Sequence, residues 1–209
     1  MEEQKYHCFV FGHQETKQRK QTKQRNKMNA LTKIIKSNAR RAATHMHRRR
    51  QQYVHTEKEM AAKGITLPAY QDAVWSYVKA QRDGNKLYIG DHVGQDETAT
   101  TVRGKVGEGP DAQVSPEEAE KLAGQAALRL LSTISHYCDG DLDKVDQMIK
   151  VVGIVNGTPD FIGHGKVVNG ASDMFVEVLG DRGRHARTCT GAGSLPAAVT
   201  VECIVRLKD

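Results

Sequence analysis

Arg187, Cys189 and Glu202 carry the residue types that could act on a small anion. Arg187 and Cys189 are two apart, so in a strand they point to one face. The small residues Gly191–Ser194 and Pro196 form a loop before the last apolar run, which holds Glu202. A tight return there is expected to bring the three side chains near one another. An Arg at a pocket suits a carboxylate ligand, because its planar fork pairs with two oxygens. A Glu beside it can orient or activate a water. Two plainer readings stand next to this one. Arg187 and Glu202 could form a structural cross-strand pair. Cys189 could be a buried small hydrophobe, since no His is placed in sequence to activate its thiol.

Other familiar chemistry lacks its residues. Gly104-Lys105 is not part of a Gly-x-x-x-x-Gly-Lys-Ser/Thr loop, and Gly191–Ser194 does not make Gly-x-Ser-x-Gly. No Gly-x-Gly-x-x-Gly follows a strand signal. His45-x-His47 has no acidic or Cys partner for a metal. The four cysteines, Cys8, Cys138, Cys189 and Cys203, form no Cys-x-x-Cys pair, which excludes a structural zinc site and a disulfide-stapled scaffold. No run approaches about 18 apolar residues, so no membrane-spanning helix is expected.

The elements that must position these residues follow from local signals. Thr56 is a candidate N-cap for a short helix with Glu59 three residues on, and Gly64 can end it. Ser76–Arg82 and Lys86–His92 read as strands joined through Asp83-Gly84-Asn85, a hairpin signal. A long Gly-rich loop, 94–114, follows. Ser115-Pro116-Glu117-Glu118 has Ser at the N-cap, Pro at N1 and Glu at N3, and Ala119, Leu122, Ala123, Ala126, Leu130 and Ile134 keep helical spacing until Asp139-Gly140. Lys144–Val155 reads as a buried strand. A second long helix is expected from Pro159-Asp160 to about Leu179, then strands at His185–Thr190 and Ala198–Leu207. In the last strand the odd positions Val199 to Leu207 face a core, which puts Glu202 and Ile204 on the other face. The element order predicts an α/β or α+β layer with helices on one sheet face, and the mixed face of the last strand predicts a subunit interface or a pocket.

Charge divides the chain. Residues 1–50 hold 14 Lys/Arg against 3 Asp/Glu, and the remainder holds 17 against 22. Residues 1–54 therefore read as a basic extension and 55–209 as a mildly acidic domain. The run Gln14–Lys27 is too polar to bury a core. From Met28 to Arg50 the chain is basic and free of acids, with Leu31, Ile34 and Ile35 clustered, as in a mitochondrial transit sequence. A solvated tail in a cytoplasmic protein and an RNA-binding arm are the other readings. Aromatic residues, 5% of the chain, are too sparse in the arm for base stacking.

Gly64-Ile-Thr-Leu-Pro68, Lys150–Phe161 (Lys-Val-Val-Gly-Ile-Val-Asn-Gly-Thr-Pro-Asp-Phe), Val168-Asn-Gly-Ala-Ser-Asp173, Gly183-Arg-His-Ala-Arg-Thr-Cys189, Ser194-Leu-Pro196 and Val201-Glu202 together resemble the Rid family, also called YjgF or L-PSP endoribonuclease-like. The resemblance covers about Ala61 to Leu207. It implies a chorismate-mutase-like α/β fold with two long helices on one face of a mixed sheet. It also implies a homotrimer with pockets between subunits, and hydrolysis of 2-imino or enamine acids such as 2-aminoacrylate and 2-iminobutanoate to 2-keto acids and ammonia. It maps the carboxylate-binding Arg onto Arg187, the pocket Cys onto Cys189 and the acidic residue onto Glu202. Asn169 and Tyr77 take the remaining binding positions. Gly90-Asp91 stands where the family has Ser-Gly, so a pocket hydroxyl is replaced by Gly90 and a carboxylate is added. No metal or organic cofactor is implied, because a protonated imine is already electrophilic. A non-catalytic trimer binding small carboxylates and a ribonuclease are the competing functions.

Overall fold

Ser115 starts the longest helix in the way its sequence requires. Its hydroxyl accepts from the Glu118 N–H at 3.1 Å, and Pro116 takes the first helical position. The structure, a computed structural model, describes Met28 and residues 55–96 and 98–208. The readings of the basic extension 1–54 lie outside these residues, Met28 apart. The elements are α1 (Thr56–Ala62), β1 (Ala80–Asp83), β2 (Lys86–Val93), α2 (Pro116–Tyr137), β3 (Val145–Val155), α3 (His164–Leu179), β4 (Ala186–Gly191) and β5 (Val199–Leu207), with short 3-10 turns before β3 and after α3.

The strands form one mixed sheet in the order β1-β2-β5-β3-β4, in which β3 and β4 are parallel and the other pairs antiparallel. The long helices α2 and α3 pack against each other and against the same side of this sheet. The core lies between these layers. Leu122, Leu130, Ile134, Val167, Val168 and Phe175 from the helices meet Leu87, Met148, Val151, Val155, Val201 and Val205 from the strands, all buried. Each such side chain contributes about 1.5–3 kcal/mol of transfer free energy. The alternation expected in β5 holds: Val199, Val201, Cys203, Val205 and Leu207 are buried, Glu202 is exposed, and Ile204 and Arg206 are half-buried. Tyr88 pairs with Ile204 on the uncovered face.

Several boundaries differ from the sequence expectation. Thr56 is the first helical residue rather than the N-cap, and its hydroxyl donates to Asp143 Oδ1 at 2.5 Å. Gly64 does end α1, with φ +70° and the paired bonds Gly64 N–H to Ala61 and Ile65 N–H to Met60. The first strand begins at Ala80, not Ser76, so Tyr77 lies in a bent approach segment before β1. A bulge in β2 between Ile89 and His92 interrupts the regular pairing there. Helix α3 begins at His164. Residues 159–163 instead form a turn closed by Phe161 N–H to the Thr158 carbonyl at 3.0 Å, with the Phe161 ring lying over Gly157 and Gly163.

The two long helices approach through glycine. A Cβ at Gly170 would stand 1.8 Å from the Glu120 carbonyl oxygen, and one at Gly124 would stand 3.4 Å from the Gly170 carbonyl. Gly170→Ala is therefore expected to lower stability by about 1–3 kcal/mol despite the better helix propensity of Ala. A urea titration of the variant checks this, and an unchanged midpoint would show that the helices can separate without cost.

His92 is a buried polar group in the same layer. Its Nδ1–H donates to the Gly90 carbonyl at 2.9 Å, and its Nε2 accepts from the Thr133 hydroxyl at 2.8 Å. Burial, more than any neighbouring charge, pushes its pKa down to about 4. The unfolded chain takes up this proton near 6.5. Stability from the neutral ring is thus fully present above that value and is lost as pH falls towards 4, up to about 3 kcal/mol. Unfolding midpoints between pH 7 and 4.5 are expected to fall more steeply for the native protein than for His92→Gln.

Candidate functional site

Parallel pairing with β3 decides which way the β4 side chains point. Arg187 pairs with the buried Val151, Cys189 with Gly153 and Gly191 with Val155, so all three lie on the helix side of the sheet. Helix α3 presents Gly165, Asn169 and Ser172 to Arg187, a stripe spaced by four and three residues. Arg187 Nη1 donates to Asn169 Oδ1 at 2.8 Å and to Ser172 Oγ at 3.0 Å, and Nη2 donates to the Gly165 carbonyl at 3.1 Å. All three acceptors are neutral. Among the described residues no carboxylate pairs with Arg187, and its Nε–H and one Nη2 hydrogen make no bond. An exposed guanidinium is thus held rigidly with its charge uncompensated. Cys189 is half-buried and packs on the core beside Gly153. At the next position on this face the His164 ring closes over Gly191: a Cβ there would lie 2.4 Å from His164 Nε2, so the imidazole would have to move aside.

Glu202 lies on the opposite face. It pairs with Val152, the residue next to Arg187's partner Val151, and successive residues of a strand point to opposite sides. The expected convergence of Arg187, Cys189 and Glu202 within one chain is therefore overturned, and so is the alternative of a structural Arg187–Glu202 pair. The loop after β4 does not make a tight return to β5 beside it. Strand β3 stands between them. On its own face, Glu202 sits opposite the β2 bulge: Ile89 pairs with Cys203 and His92 with Val201, so Gly90 and Asp91 together oppose Glu202. Gly90 N–H donates to the Lys79 carbonyl at 3.0 Å, which lays the Tyr77–Lys79 segment alongside. Tyr77 is 50% exposed, with the Lys79 ammonium 5.6 Å from its ring centre.

The residues singled out in the sequence thus fall into two groups. Arg187, Asn169 and Cys189 gather at the β4 edge, whereas Glu202, Gly90 and Tyr77 gather over β5 and β2. Strand β2 is three spacings of about 4.8 Å, roughly 14 Å, from β4. Ser172 and the Gly165 carbonyl were missed by sequence reasoning, although the three-residue spacing of Asn169 and Ser172 on a helix is a usable signal. Away from both groups, the oxygens of Glu57, Asp141 and Asp143 lie within 4.8 Å of one another. They already accept from Leu142 N–H, Asp143 N–H and the Thr56 hydroxyl, so they fasten α1 to the turn before β3.

Comparison with known proteins agrees with this architecture. A family described as "YjgF/chorismate mutase-like, putative endoribonuclease" matches residues 57–208. Protein TCP17 of Trypanosoma cruzi is 33% identical over 149 residues, 70% of this chain and 90% of that protein. The crystal structure of Atu1372 from Agrobacterium tumefaciens, described as of unknown function, is 33% identical with a TM-score of 0.65, covering 74% of this chain and 93% of that one. A Shewanella oneidensis MR-1 structure described as "a putative endoribonuclease", 24% identical with a TM-score of 0.67, covers 73% of this chain and 99% of that one and shares the fold. With its mixed sheet, its two helices on one face and a family match over nearly all the described residues, the chain belongs to the YjgF/chorismate mutase-like family.

Proposed function

We propose that the protein hydrolyses small 2-imino acids to 2-keto acids and ammonia, in pockets formed where neighbouring copies meet in a closed trimer. The observation that carries this reading is Arg187: a guanidinium anchored by three neutral acceptors, with two donors left and no counter-charge. That is a receptor for a planar carboxylate. Glu202 and Asp91 lie on the other side of the sheet, exposed and acidic. A head-to-tail contact would set Arg187 at the β4 edge of one copy against Glu202 and Asp91 on the β2–β5 face of the next, and such a contact closes into a ring when the rotation permits. Tyr88, 40% exposed beside the half-buried Ile204, gives that face apolar area to bury.

In this arrangement Arg187 holds the substrate carboxylate and fixes the imine carbon in place. Glu202 of the adjacent copy polarises a water, which adds to that carbon. The resulting carbinolamine collapses with cleavage of the C–N bond, and the nitrogen leaves as ammonia with the protons of the water. No thiolate is needed, which agrees with Cys189 packing against the core. Asn169 acts through its bond to Arg187, and Gly90 with Tyr77 shapes the opposite wall. The ribonuclease reading rests on the family's description. Beyond residue 50 the chain has an excess of acidic over basic residues, which supports a small carboxylate rather than a polyphosphate backbone as ligand.

Arg187→Ala is expected to reduce hydrolysis of freshly generated 2-iminobutanoate by roughly 30- to 4000-fold, the cost of about 2–5 kcal/mol for losing a charged pair. Arg187→Lys should recover part of it, since an ammonium lacks the fork. Melting should change little, because Asn169 and Arg187 are exposed and water replaces their bond. Following ammonia release and melting for both variants tests this. Preserved turnover in Arg187→Ala would remove the carboxylate assignment. Light scattering is expected to give three chains per particle at micromolar concentration. A stable monomer with full activity would remove the shared pocket.

A further inference from the structure

His185, behind the Arg187 acceptor Ser172, has no role in the scheme above, and the hydrogen bonds of the two residues run in one direction. His185 Nδ1 lies 2.6 Å from the Gly183 carbonyl oxygen, which can only accept, so Nδ1 carries the hydrogen. Burial, and then the neighbouring Arg187, hold the imidazole below its ordinary pKa, so the ring is neutral near pH 7. Its Nε2 is then an acceptor. Ser172 Oγ lies 3.0 Å from Nε2 and must donate to it. The lone pairs of the same oxygen are thereby turned towards Arg187 Nη1, at 3.0 Å. The ring has little freedom, since Phe175 meets it edge-on with centroids 5.8 Å apart. Gly183 is fixed as well: a Cβ there would lie 2.2 Å from the Phe175 carbonyl oxygen.

We infer that Ser172 and His185 form a one-way hydrogen-bond relay, anchored on the Gly183 carbonyl, that fixes which donors Arg187 turns towards an anionic ligand. Both are positioning residues and neither touches the ligand. With Asn169 and Ser172 accepting both Nη1 hydrogens, the guanidinium cannot rotate to present that nitrogen. Nε–H and the remaining Nη2 hydrogen become the binding edge. A Ser hydroxyl without the His acceptor could turn its hydrogen on Arg187 and lose this bond. The inference rests on the reading of Arg187 as a carboxylate receptor, and its test separates the two.

The test uses full-length protein and 2-oxobutanoate, the keto-acid product of 2-iminobutanoate, with affinity measured by calorimetry. Ser172→Ala is expected to weaken binding roughly 3- to 10-fold, the worth of one hydrogen bond. Ser172→Thr, which keeps the hydroxyl, should stay near the native value. His185→Gln, which can place an oxygen near the former Nε2, should bind more tightly than His185→Ala. In an Arg187→Ala background, Ser172→Ala should have no further effect, since a relay acts only through the guanidinium. Turnover of 2-iminobutanoate should show the loss in KM rather than kcat. If Arg187→Ala weakens binding but Ser172→Ala does not, or if the Ser172→Ala loss persists without Arg187, the relay is overturned while the carboxylate reading stands. If Arg187→Ala itself leaves affinity unchanged, both are overturned.

Discussion

The two-residue period of β3 governs where chemistry can occur on this sheet. Val151 and Val152 are neighbours in the chain, yet one aligns with Arg187 across the parallel pair and the other with Glu202 across the antiparallel pair. No rotamer change can bring two groups together through a hydrogen-bonded sheet. Everything on the Arg187 side is organised by α3, which supplies three acceptors from one stripe. Everything on the Glu202 side is organised by the β2 bulge, which sets two residues against one. Among the described residues, both long helices cover the first face and none covers the second.

Rigidity and exposure are distributed accordingly. The core face is packed to the point where Gly153, Gly170 and Gly183 leave no space for a methyl group. A Cβ at Gly153 would stand 2.4 Å from a Val168 methyl, which seats α3 on β3 and so sets its distance from β4. The guanidinium lies at the edge of this packed layer. It owes its orientation to hydrogen bonds and its availability to β4 being the last strand. An edge strand usually invites pairing with another chain, and a charged side chain there discourages indiscriminate association.

Much of this was legible in the sequence. Ser115-Pro116 marked the start of α2, Asp83-Gly84 gave the hairpin, and the alternation of β5 separated Glu202 from the core. The partnership of Asn169 and Arg187 came from resemblance, and the geometry brings them to 2.8 Å. What the sequence hid was relational. Nothing local to Gly191–Ala198 reports that β3 inserts between β4 and β5, because sheet order is fixed by how α3 crosses over. The Asp83-Gly84-Asn85 hairpin signal extends the first strand to Ser76, whereas its pairing with β2 ends at Ala80 opposite Ile89, where the β2 bulge begins. The start of α3 shifted by about a turn because Phe161 covers two glycines instead of entering the helix. The His185–Ser172 contact joins residues 13 apart in the chain and forms where the segment leading into β4 docks beside α3.

The separation of the two groups across three strands has a consequence for how such a protein diversifies. Under the proposed hydrolysis the anion grip would be written on α3 and β4, and the water-handling surface on β2 and β5, with no shared side chain. Substitutions at the bulge, such as at Asp91, would then alter the reactive wall while leaving ligand capture untouched. Changes at residue 172 or 185 would do the reverse. Selection could then act on affinity and on reactivity as two inherited traits, each tuned without breaking the other.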